Sequence, residues 1–138
     1  NERKQKMKRK ITATLLLVLV LALALTSCGG DIDPWDDATY TEDTTLGTGA
    51  KCISVKIECG ENAITLTVNT DEANVGAALY GLGLINDPSF FDVLNGVLAS
   101  WTNDQAYWAF YVGDTMSAVG VDAVEILGGE SFKFVYTK

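Results

Sequence analysis

The chain has no histidine among its 138 residues and, beyond residue 27, almost no positive charge. Lack of histidine removes the commonest general base and the commonest transition-metal ligand. Of the ten basic residues, Arg3, Lys4, Lys6, Lys8, Arg9 and Lys10 all precede residue 28. Only Lys51, Lys56, Lys133 and Lys138 follow, against 17 acids, so residues 28–138 carry a net −13 where the whole chain carries −8. A body this acidic lacks the cations needed to displace counterions from nucleic acid, which excludes phosphate-backbone binding. Cysteine is scarce too, at three. One of these has an assignment of its own below, and the remaining two without histidine set aside zinc chemistry and Ser-His-Asp or Cys-His catalysis. No metal and no cofactor is expected. The length allows one domain rather than two full ones.

What is present begins with an export signal. Met7-Lys8-Arg9-Lys10 is a short positive region, and Ile11 to Leu25 is an almost unbroken apolar run of 15 residues. As a helix this run is roughly 22 Å long, short of the ~20 residues that span a bilayer. Residues 1–6 precede Met7, the expected initiator, and are left out of fold reasoning. Leu25-Thr26-Ser27-Cys28-Gly29-Gly30 resembles the lipobox of bacterial lipoproteins. The resemblance implies a signal peptide over 1–27, lipidation of the Cys28 sulfur, and display on the extracytoplasmic face of a bacterial cell membrane.

Residues 28–50 then read as the lipidated cysteine and a disordered acidic tether. They are rich in Gly, Asp and Thr with no apolar period, and a flexible coil of this length reaches roughly 25 Å. Asp31, Asp33, Asp36 and Asp37 lack the central Gly and terminal Glu of a calcium loop. Trp35 reads as a lone exposed aromatic.

Residues 51–138 carry the fold. Ile53, Val55 and Ile57 alternate with polar neighbours over 51–59, and Ile64, Leu66 and Val68 do so over 63–70, which predicts a hairpin with one buried face. Val75, Ala78, Leu79, Leu82 and Ile85 fall at helical spacing, capped by Asn74 and Gly83, for a helix over 74–83. Asn95-Gly96 between 90–94 and 97–99 signals a type I′ hairpin. A polar loop over 100–106 contains Trp101, and 107–112 alternates with Trp108, Phe110 and Val112 on one face and Tyr107, Ala109 and Tyr111 on the other. An extended stretch over 121–127 and a strand over 131–137, with Phe132, Phe134 and Tyr136 on one face, complete an α+β fold. Its ββαβββ order is that of a β-grasp-like mixed sheet packed on one short helix. Seven steps along one straight strand separate Cys52 and Cys59 by roughly 23 Å, too far for a disulfide, so both are expected as free thiols.

From Val68 onward the chain resembles the transcobalamin-like C-terminal domain family, a bacterial domain of unknown function on secreted and lipid-anchored proteins. The resemblance rests on Asn74-Val75-Gly76-Ala77-Ala78-Leu79, Gly83-Leu84-Ile85 and Leu94-Asn95-Gly96-Val97, then on Tyr107-Trp108-Ala109-Phe110-Tyr111-Val112, Gly120-Val121-Asp122 and Phe132-Lys133-Phe134-Val135-Tyr136. Departures fall in turns and caps: Gly113-Asp114 stands where the family often has Asn-Gly, Gly128-Gly129-Glu130 where it has Asp-Gly-Asp, and the pair Asn74/Ala77 loses the capping box. The resemblance implies a β-grasp-type ligand-binding module, for a corrinoid (cobalamin-like) or another soluble ligand, acting with a partner domain or a membrane transporter. In vitamin-carrying relatives a helical domain closes the other side of the ligand, so this domain alone is expected to enclose only one face.

The aromatic excess singles out Tyr107, Trp108, Tyr111, Met116 and Trp101 as ligand-binding candidates, with Val119 at the rim. By parity Trp108 and Phe110 belong to the core, and Tyr107 and Tyr111 face outward. The alternative function is a cell-surface protein–protein or cell-wall interaction domain that docks through a sheet face or strand edge without a small molecule. An enzyme is not expected: Asp104, Asp114, Asp122 and Glu125 offer carboxylates, yet they sit in turns, where solubilising acids belong.

Overall fold

The computed structural model describes residues 31–138. The export signal and Cys28 lie outside the described residues.

Two nine-residue strands, β2 (Lys51–Cys59) and β3 (Asn62–Thr70), pair antiparallel along their whole length, from Lys51 opposite Thr70 to Cys59 opposite Asn62. Alternation dictates this register, because a one-residue slip would turn every apolar side chain to water. Ile53, Val55 and Ile57 face inward with Ile64, Leu66 and Val68. Cys52 and Cys59 stand seven apart on this strand and so on opposite faces; both are free, Cys52 exposed and Cys59 buried.

Helix α1 (Val75–Gly81) follows. The Asn74 side chain accepts a hydrogen bond from the Ala77 N–H at 2.8 Å, satisfying one of the donors a helix start leaves open. Val75, Ala78 and Leu79 join the hairpin's inward row in one core.

Strands β4 (Val93–Leu94) and β5 (Val97–Leu98) form a two-residue hairpin on the Asn95-Gly96 turn, with φ of +53° and +82° as a type I′ turn requires. The expected strand over 90–94 shrinks to its last two residues because side chains capture the preceding backbone. Asp87 accepts from the N–H groups of Ser89 and Phe90, and Asn86 accepts from those of Asp92 and Val93. The loop over 100–106 contains a single helical turn, α2 (Trp101–Asp104), capped by the Ser100 hydroxyl.

Strand β6 (Tyr107–Val112) turns at Gly113-Asp114 into the short β7 (Thr115–Met116). The expected extended stretch over 121–127 is instead a 3₁₀ turn (Val121–Ala123) followed by a bridge. Its backbone bonds to the start of α1, from the Val75 N–H to the Val124 carbonyl and from the Ile126 N–H to the Ala73 carbonyl. Strand β8 (Ser131–Thr137) closes the domain.

The tether expectation is corrected. Residues 34–37 form a 3₁₀ turn capped by Asp33, and Trp35 is only 9% exposed, packed in the core. Thr44–Leu46 forms strand β1, parallel to β3, and the Asp43 carboxylate accepts from the Thr65 N–H at 2.8 Å. Among the described residues, folded structure is thus already present from Asp33, ahead of Lys51. The glycines that suggested flexibility are needed for contact: a Cβ at Gly49 would lie 2.2 Å from the Thr70 carbonyl carbon.

Six strands make one mixed sheet in the order β1-β3-β2-β8-β6-β7. The central pair, β2 and β8, is parallel, and antiparallel partners flank it on both sides. A parallel centre between two antiparallel arms, crossed by one helix, is the β-grasp arrangement within the expected α+β class.

Candidate functional site

Two surfaces combine side chains that could hold a ligand. The first is a groove between the loop 87–91, the segment 120–121 and the inner face of β6. Its volume is about 160 Å³, and its lining includes Phe90, Phe91, Trp108, Phe110, Gly120 and Val121. The floor is rigid. Phe110 stacks on Phe134 at a ring separation of 4.9 Å, and Phe91 meets Phe134 edge-on at 5.8 Å. Phe90 stands over the groove and is 93% exposed. The Asp87 carboxylate fixes its backbone. The N–H of Phe90 first, then that of Ser89, hold this carboxyl below the usual aspartate range.

Trp108 is only 8% exposed. Its indole N–H donates to the Val97 carbonyl at 3.2 Å and its ring meets Tyr136 edge-on at 5.5 Å. It is a core residue whose ring edge reaches the groove wall.

The second surface is the open face of the sheet, where parity places Tyr107, Tyr111 and Met116. Trp101 leans on Tyr107, edge to face at 6.3 Å. Tyr111 pairs across the strands with Met116 on one side and Lys133 on the other, and the Lys133 ammonium sits 4.6 Å from the Tyr111 ring centre. Four residues of strand separate Tyr107 from Tyr111, roughly 13 Å. The five candidates from the sequence thus fall into two pairs at opposite ends of β6 on one face, and Trp108 on the other.

Sequence reasoning missed Phe90 and Phe91. The available signal was two consecutive phenylalanines after Asp87-Pro88-Ser89, in a segment that turn chemistry keeps from pairing. Val119 flanks Gly120 and is exposed.

Among the described residues, the groups held away from their ordinary protonation range owe it mainly to burial or to backbone N–H groups. Burial raises the Cys59 thiol, with the charge of Asp33 adding to it. Burial likewise raises Tyr136, with smaller contributions from Asp104 and Cys59. Among the described residues, no three Cys, Asp or Glu side chains converge as a metal site would require.

Comparison with known proteins adds the fold. A protein from Ruminococcus gnavus ATCC 29149, described in its crystal structure at 1.30 Å as a candidate metal binder, superposes with a TM-score of 0.59 at 19% identity, over 64% of this chain and 98% of its own. The crystal structure of haptocorrin in complex with Cbi matches with a TM-score of 0.45 at 15% identity, over 67% of this chain and 26% of haptocorrin. No protein-family profile matches the chain. No curated protein matches it.

Proposed function

We propose that this chain is a non-catalytic ligand-binding module of the transcobalamin-like kind, held on the extracytoplasmic face of a bacterial membrane by lipid on Cys28. Its ligand is a corrinoid or another soluble molecule, gripped along one edge by the groove beneath Phe90.

Phe90 carries this reading. An aromatic ring left 93% in water forgoes about 2 kcal/mol of burial, and the loop that carries it is fixed by Asp87 rather than loose. The exposed ring continues into the apolar floor of Phe91, Phe110 and Val121. A volume of about 160 Å³ is below the ~300 Å³ at which pockets enclose a small molecule, which suits an edge-on grip completed by a partner domain or transporter. The corrinoid itself rests on the sequence resemblance. Metal binding is not carried over from the Ruminococcus protein, because this chain lacks histidine and shows no convergent ligand set among the described residues.

The test is a thermal-shift titration of the full chain in detergent against cyanocobalamin and cobinamide. A rise in Tm that Phe90→Ser abolishes, without lowering the Tm of the unliganded protein, supports the reading. No shift with either corrinoid removes that ligand class and leaves surface docking ahead.

A further inference from the structure

Half of the lysines after residue 27 stand side by side. Lys56 on β2 and Lys133 on β8 are in register across the parallel central pair and share the open face of the sheet. The row continues with Thr65 beyond Lys56 and with Tyr111 and Met116 beyond Lys133. Like charges directly opposite one another in a sheet repel. In a body carrying 17 acids and four bases, general electrostatics would scatter the lysines among the carboxylates. Only one of the pair is matched: Lys56 meets Glu58 at 3.0 Å, and among the described residues no carboxylate lies within 4.0 Å of Lys133.

Lys56 and Lys133 both line a hollow of about 380 Å³ that is also lined by Ser54, Thr65, Ser131 and Asp114. That volume is within the ~300–1,000 Å³ of small-molecule sites. The lining supplies ammonium donors and hydroxyls, the chemistry that holds an oxyanion. The Tyr111 ring steadies Lys133 from the side.

We propose that this hollow is a site for a small molecule bearing a carboxylate or phosphate group. Lys133 is the principal donor, Lys56 the second, and the Ser54 and Ser131 hydroxyls complete the set. An anion between the lysines offsets their repulsion, and the Asp114 carboxylate in the same lining opposes ligands of high negative charge. The site is on the opposite face of the sheet from the Phe90 groove and does not depend on it.

The experiment is an NMR titration of the isotope-labelled full chain in detergent with two probes, inorganic phosphate and succinate, at low and high salt. Saturable shifts confined to residues 54–56, 111–114 and 131–133 are expected, weakening as salt rises. Lys133→Met should lower affinity about tenfold or more, the loss of one charge-assisted hydrogen bond, whereas Lys138→Met should leave it unchanged. Saturation with only one probe fixes the group recognised. Shifts that stay linear with both probes, or Lys133→Met binding as tightly as the native chain, would overturn the proposal.

Discussion

Asn95 clasps Tyr40 from 55 residues away in sequence. Its Oδ1 accepts from the Tyr40 N–H at 2.9 Å, and its Nδ2 donates to the Tyr40 carbonyl at 2.8 Å. Asn95 is 1% exposed and sits at φ +53°, so one residue both makes the β4–β5 turn and pins the N-terminal segment to the body. Asn95→Gly keeps the backbone angle and loses both bonds, stranding two backbone groups. We expect a loss of about 2–3 kcal/mol, read by urea unfolding, with Asn95→Ala worse because the turn also strains.

The segment before Lys51 contributes stability through Trp35. Trp35→Ala should cost about 3–5 kcal/mol. A loss of under half a kilocalorie, read as the same urea midpoint within error, would mean that the segment is a tether after all.

Gly76, in the first turn of α1, sets the position of the groove loop. A Cβ there would lie 2.1 Å from the Pro88 carbonyl oxygen, so Gly76→Ala must push the 87–91 loop outward. Overpacking of this kind costs about 1–3 kcal/mol. Groove binding should fall with it, while the Lys56–Lys133 hollow on the other face stays intact. Calorimetry and ligand titration of the variant check the two effects separately.

Thiol reactivity should separate the two strand cysteines. Cys52 is exposed and should alkylate at once in the native protein; Cys59 is buried and its thiol is raised by burial, so it should react only as the domain opens. Peptide mass mapping after timed iodoacetamide treatment distinguishes these from Cys28.

Acid should weaken the fold through two carboxylates. The Leu127 N–H holds Glu130 below its ordinary 4.5; partial burial opposes this, and the N–H groups of Glu130 and Gly128 and the Lys51 charge add to it. Asp87 is lowered from 3.8 by the Phe90 and Ser89 N–H groups. A folded pKa below the unfolded one means stability that is complete above the unfolded value and lost as pH falls through the folded one. Urea midpoints should thus hold from neutral pH to about 5 and then drop, and Glu130→Gln should lower the plateau and flatten part of that drop.

Much of this was legible in the residues themselves. Period-two alternation over 51–59, 63–70, 107–112 and 131–137 specified four strands and their inward faces, since a side chain's face follows from parity alone. Asn74 announced a helix start and Asn95-Gly96 a turn, each through a local backbone requirement. The net −13 of residues 28–138 and the missing histidine set the expectations about chemistry from composition alone.

Tertiary structure decided whatever depends on contacts between distant segments. Trp35 has no periodic neighbours, so nothing local marks it as core; a cavity formed by other elements draws it in. Thr44–Leu46 becomes a strand because the β3 edge offers unpaired backbone groups, whereas in 121–127 the Val124 carbonyl and the Ile126 N–H bond to Val75 and Ala73 at the start of α1. Lys56 and Lys133, 77 positions apart, meet only because β8 returns parallel to β2 through the centre of the sheet. Parity can tell which face a side chain takes; which side chain it meets there is settled by strand order, and strand order is a property of the whole chain.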